Sequence, residues 1–215
     1  MSIALTPGGA AGAEEIVAVA RSIFSRSLTH GSTGNISLRT HDGILVTPTG
    51  SSLGTVEPGD LSLIDERGAH VGGARPSKEA FLHAAVLRAR PSAQAVIHTH
   101  STYSAAVSCL DDIDPASALP PLTAYFAMRI GRLPLLPYHA PGDDSLGPVA
   151  EAAARDHVAL LLSNHGPVVA GASLSAALDA LEELEETAKL HLLLHGRSIR
   201  PLTPTQAAAL APPAR

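Results

Sequence analysis

The chain has 215 residues, 45% of them apolar, with no tryptophan and a formal charge of −5, a length and composition that suit one domain over residues 1–215 with a sizeable core. Aromatic side chains make up only 3% and no basic block runs along the chain, which argues against nucleic-acid partners, since these need stacking rings and cationic stripes. The single Cys109 allows no internal disulfide, the N-terminus has no basic-then-apolar leader, and no apolar run reaches the roughly 18 residues that span a bilayer, so a cytoplasmic protein with no membrane partner is expected.

Residues 13–28 carry a helical stripe of Ile16, Val17, Ala20, Ile23 and Phe24. His30-Gly31-Ser32-Thr33-Gly34 ends it, and 35–39 and 43–47 alternate as two strands around His41-Asp42-Gly43. Residues 61–65 and 69–71 predict another hairpin, turning at Glu66-Arg67-Gly68. Ser77 is placed to cap a helix over 78–89 that ends near Pro91. Residues 95–98 predict a buried strand, 102–110 a helix, and 111–121 a loop rich in proline and aspartate. A strand over 133–138 is confined by its prolines to a sheet edge. A helix over 145–155 follows, then strands over 159–163 and 168–171 around Asn164-His165-Gly166-Pro167. A long amphipathic helix over 173–195 precedes a loose Pro- and Ala-rich tail from about residue 200. Hairpins mixed with helices predict an α/β protein whose sheet is largely antiparallel or mixed.

Three short segments carry the chemistry: Ser77-Lys78-Glu79, His98-Thr99-His100 and Asn164-His165-Gly166. In a strand, residues i and i+2 share a face, so His98 and His100 at a strand end reach one cation, with His165 a candidate third ligand. Three protein ligands and an open position are the form of a catalytic zinc site. Glu79, in the first helical turn, is either a carboxylate that the helix dipole favours or an acid/base group beside the metal. His83, on the same helical face, either orients Glu79 or packs. Loops 31–35, 47–52 and 76–78 are rich in hydroxyls and free N–H groups, which bind phosphate but are also what turns contain. The remaining histidines and the acidic run Glu182, Glu183, Glu185 and Glu186 read as solvated, and Cys109 as a small core residue. Arg129 and Arg132 suit either a subunit interface or an anionic substrate.

In order, G-S-T-G-N-I-S, V-T-P-T-G, P-S-K-E, H-T-H and N-H-G-P resemble the class II aldolase/adducin family over about residues 13–195. The resemblance implies a three-layer α/β/α fold with a mainly antiparallel central sheet. It also implies a homotetramer with active sites between subunits. His98, His100 and His165 then match the ligands of one divalent metal per subunit, zinc foremost, with Mn²⁺, Co²⁺ or Fe²⁺ fitting the same geometry. Glu79 matches an acid/base carboxylate that also approaches the metal, and Asn35, Thr49, Gly50 and Ser77 match phosphate-binding positions. Tyr125 falls near a catalytic tyrosine supplied by the neighbouring subunit.

Lys78 stands where the family's sugar-phosphate aldolases and epimerases carry a second serine. With the stretch from Leu119 to Pro134, it resembles the branch that decarboxylates 3-oxo-tetronate 4-phosphate to dihydroxyacetone phosphate and CO₂. That reaction and retro-aldol cleavage of a 1-phospho-ketose leave the same metal-stabilised enediolate, so a metal-dependent carboxy-lyase is expected first. A fuculose-1-phosphate type aldolase or epimerase comes second, and a non-catalytic adducin-like interaction module third. An ion pair to the departing carboxylate stabilises the ground state, so Lys78 is assigned to the phosphate. Glu79 or Tyr125 is expected to deliver the proton that replaces CO₂.

Overall fold

In the computed structural model, which describes residues 3–211, helix α1 (Pro7–Ser25) starts well before its apolar stripe. Thr6 caps it by accepting from the Gly9 N–H at 3.2 Å, and Pro7 supplies a preset first position. Gly9 and Gly12, which look like breakers, are packing residues. A Cβ on Gly9 would lie 2.1 Å from the Asp42 carboxylate, and one on Gly12 3.0 Å from Leu38, so the helix lies directly on the first hairpin.

That hairpin is β1 (Asn35–Thr40) and β2 (Gly43–Val46), followed by β3 (Ser62–Ile64) and β4 (His70–Gly73). Helix α2 (Ala80–Ala89), strand β5 (Ala95–His98), helix α3 (Thr102–Ser108) and helix α4 (Ala124–Arg129) come next. Strand β6 (Leu135–Leu136), helix α5 (Leu146–Ala154), strands β7 (Ala159–Leu162) and β8 (Gly166–Gly171), and helices α6 (Leu174–Leu193) and α7 (Pro204–Leu210) complete the described chain.

The strands form one sheet in the order β4-β3-β2-β1-β5-β8-β7-β6, antiparallel at every junction except β6 with β7. Side chains alternate between two cores. Ile36, Leu45, Ile97, Leu161 and Val169 pack with α1, α3, α4 and α6, while Ile44, Val96, Leu160 and Val168 pack with α2 and α5. Helices on both faces are why β5 and β7 read as continuous apolar runs rather than as alternating ones.

Three expectations are corrected. The sequence from Pro201 is not simply a loose tail: Pro204–Leu210 is helical, with Thr203 and Gln206 forming a reciprocal capping box, and it packs on α4. Cys109 is exposed rather than in the core. The acidic run on α6 is not one solvated face, because Glu185 is buried and accepts hydrogen bonds from α3. No described helix is long and apolar enough to cross a membrane.

Candidate metal centre and active site

The register Asn35↔His98↔Val168 puts the start of β1, the end of β5 and the start of β8 at one edge of the sheet, near its middle. His98 closes β5 and is fully buried; its Nδ1 lies 2.8 Å from the Pro167 carbonyl. A carbonyl only accepts, so Nδ1 carries the proton and the Nε2 lone pair faces the site. His165 sits in the β7–β8 turn, where Asn164 takes a left-handed φ of 55° and swings the chain back. Gly166 has no room for a side chain, since a Cβ there would lie 2.3 Å from the Thr99 carbonyl.

The three imidazoles meet. Nε2 of His165 is 3.3 Å from Nε2 of His98 and 3.0 Å from Nε2 of His100, and these three form the one possible metal-binding group among the described residues. Zinc–nitrogen bonds of about 2.0–2.1 Å at a tetrahedral angle place neighbouring nitrogens about 3.3 Å apart, so the donor set fits a divalent ion. Burial first, then His98 and His165 nearby, push His100 down to about 3; burial and His98 push His165 to about 4. Both rings are therefore neutral near pH 7, the form that ligates metal.

Glu79 occupies the N-cap of α2 yet makes no capping hydrogen bond. Ser77 is not the cap; its hydroxyl accepts from the Glu79 N–H at 3.2 Å and holds the turn before the helix. The carboxylate faces the triad instead, with Oε2 3.5 Å from His98 Nε2 and Oε1 3.5 Å from His165 Nε2. Burial pushes this carboxyl up, but His98, the Asn35 hydrogen bond, His165 and His83 more than offset it and hold the group below its ordinary value.

Behind Glu79 runs a buried chain that the sequence only hinted at. The Asn35 amide donates to Glu79 Oε2 at 2.9 Å, and its carbonyl accepts from His83 Nε2. Ser37 Oγ lies 2.7 Å from His83 Nδ1. Asn35 Oδ1 can only accept, so Nε2 bears the His83 proton, and Ser37 donates to Nδ1. His83 thus orients Glu79 through Asn35 rather than directly. Ser37 gave no signal in the sequence, because a polar residue there fits the alternation of β1; only its full burial sets it apart.

Glu79, His100 and His165 line a cleft of about 260 Å³ together with Asn35, Thr49, Gly50, Ser77 and Lys78. Pro48 and Pro76 form an isolated antiparallel bridge that ties the Thr49-Gly50 loop to the Ser77-Lys78 loop. Pro141, from the β6–α5 connection, also lines the cleft, a contribution no sequence motif announced. Tyr125 is not brought to this cleft in its own chain; it stands on α4, 60% exposed.

The family model for the Class II Aldolase and Adducin N-terminal domain matches residues 14–192. The chain belongs to the class II aldolase and adducin family. Within this family, the 3-oxo-tetronate 4-phosphate decarboxylase of Haemophilus influenzae is 46% identical over 90% of this chain and 92% of its own. The L-fuculose phosphate aldolase of Methanocaldococcus jannaschii is 36% identical over 84% of this chain and 95% of its own. The crystal structure of YgbL from Klebsiella pneumoniae superposes with a TM-score of 0.91 at 42% identity, covering 95% of this chain and 100% of that one.

Proposed function

We propose that this class II aldolase family member is a divalent-metal-dependent carboxy-lyase that converts 3-oxo-tetronate 4-phosphate to dihydroxyacetone phosphate and CO₂. The observation that carries the reading is the convergence of His98, His100 and His165 with both oxygens of Glu79 turned toward them. The preference for decarboxylation over aldol cleavage rests on the 46% likeness to the decarboxylase against 36% to the aldolase, and on Lys78. A cation held by the three imidazoles, zinc first and Mn²⁺, Co²⁺ or Fe²⁺ next, supplies a Lewis acid for substrate oxygens.

The chain's own groups do the rest. No hydrogen bond among the described residues engages the N–H of Gly50 or of Lys78, and both line the cleft with the Thr49 and Ser77 hydroxyls. Together with the Lys78 ammonium they form the phosphate seat. Asn35 gives one amide hydrogen to Glu79 and keeps the other for the cleft. With the phosphate seated, the bond between C1 and C2 breaks and its electron pair moves onto the C3 ketone as an enediolate across C2 and C3. CO₂ leaves, and a proton at C2 completes the product. Glu79 is held ionised, so a proton must reach it before it can give one; the hydroxyl of Tyr125 from a neighbouring subunit is the other donor in this reading. A homotetramer with sites between subunits is part of this reading.

Purified protein should release CO₂ from 3-oxo-tetronate 4-phosphate, lose that activity on dialysis against a chelator and regain it with Zn²⁺. Cleavage of fuculose 1-phosphate without CO₂ release would replace the reading with an aldolase. Lys78→Ser should raise KM about tenfold, the loss of one charge-assisted contact, with a smaller change in kcat. A large loss of kcat at unchanged KM would move Lys78 off the phosphate.

A further inference from the structure

We infer that Glu185, on α6, is a positioning residue for the metal centre, acting through helix α3. Of the three ligands, only His98 lies within a strand, fixed by pairing on both sides and by the Pro167 carbonyl. His100 and His165 lie in connections, and α3 joins them. The helix begins at Thr102, just after His100. At its other end the Ser108 hydroxyl accepts from the His165 N–H at 3.2 Å, and the Ser108 carbonyl accepts from the Asn164 N–H at 3.1 Å. One short rigid piece of backbone therefore sets where two ligands stand relative to each other.

Glu185 holds that piece in place. Its Oε1 accepts from the Tyr103 N–H at 2.8 Å, and its Oε2 accepts from the Ser104 N–H at 2.9 Å and the Ser104 hydroxyl at 2.6 Å. The two N–H groups are helix-end donors that an N-cap side chain normally satisfies. Ser101 stands at the N-cap but makes no capping bond, and its hydroxyl is buried without a partner. The cap comes instead from another helix, which ties α3 to α6 as well as closing its end.

Glu185 is 7% exposed and forms no ion pair with a lysine or arginine among the described residues. It lies in the stripe of α6 that otherwise buries Leu181, Leu184 and Ala188. A carboxylate there is costly unless its hydrogen bonds matter, because an apolar side chain would pack without desolvating a charge. Its three bonds all go to the helix that spaces His100 from His165.

The inference rests on the reading that the triad holds a metal, and the test separates the two. Full-length protein stripped of metal is titrated with Zn²⁺ in competition with a chromophoric chelator, and its Co²⁺ form is followed by visible absorption. Glu185→Ala should weaken Zn²⁺ binding about 10–100-fold and shift the Co²⁺ bands. Glu185→Gln, which keeps the volume and one acceptor oxygen, should fall between it and wild type, and Ser108→Ala should also weaken binding. Should Glu185→Ala not fold, the other two variants carry the same readouts. Variants that unfold at lower temperature yet keep wild-type Zn²⁺ affinity and Co²⁺ bands would overturn the inference, leaving Glu185 a fold residue. Wild-type protein that binds no divalent ion would overturn the metal reading itself.

Discussion

His83 shows how much of the site is set by residues that never reach the cleft. The ring is fully buried, and burial together with nearby His98 lowers its pKa to about 3, although Glu79 pulls the other way. In the unfolded chain the same ring titrates near 6.5, so between about 6.5 and 3 the unfolded state binds more protons. Stability contributed by keeping His83 neutral is therefore complete above pH 6.5 and is lost as pH falls toward 3. The limiting slope is about 1.4 kcal/mol per pH unit for each such group. Urea unfolding of metal-free protein at a series of pH values from 7 down to 4.5 should show this loss, and His83→Gln should flatten it. An unchanged slope in the variant would mean that His83 is not a neutral buried ring. The same substitution replaces the ring N–H that holds Asn35 Oδ1 with the amide of a more flexible side chain, so Glu79 should also lose some orientation and turnover should fall.

At the scale of elements, the site depends on how closely β8 and the end of β5 approach. Gly166 opens β8 against the peptide between His98 and His100, and a methyl group there would press on the Thr99 carbonyl at 2.3 Å. Gly166→Ala should destabilise the protein by about 1–3 kcal/mol, the usual cost of overpacking. It should also weaken metal binding by displacing His98, His100 or both. Thermal unfolding and metal titration check the two effects separately, and a variant with wild-type metal affinity would show that the loop yields elsewhere.

This crowding explains what the sequence could and could not reveal. His98 was legible from its place at a strand end, whereas His100, His165 and Glu79, which stand in connections and at a helix N-cap, were legible only through the short motifs that hold them. Helix α4 was not, because Ala124–Arg129 is only six residues long and mixes buried Phe126 and Ala127 with exposed Tyr125 and Met128, too short a span for a period to show. Glu185 looked solvated because its acidic neighbours are; Glu182 pairs with Arg26 and Glu186 with Lys189 on the outside. Only the packing of α3 on α6 tells it apart.

For the whole molecule, the sheet order gathers every described metal-site residue at one edge of its centre but leaves Tyr125 outside the cleft. Tyr125 and Met128 are 60% and 47% exposed on α4, large side chains that a neighbouring subunit would cover. If Tyr125 serves the site of a neighbour, each active site needs Glu79 from one chain and Tyr125 from another. Glu79→Gln and Tyr125→Phe homomers should then both be impaired. When the two chains are unfolded together and reassembled in equal amounts, about a quarter of the sites pair an intact Glu79 with an intact Tyr125, so about a quarter of wild-type activity should return. If Tyr125 instead serves its own chain, every site in the mixture keeps one defect and mixing restores nothing. Recovery therefore reads out both assembly and the sharing of the tyrosine between chains, which no monomer property can imitate.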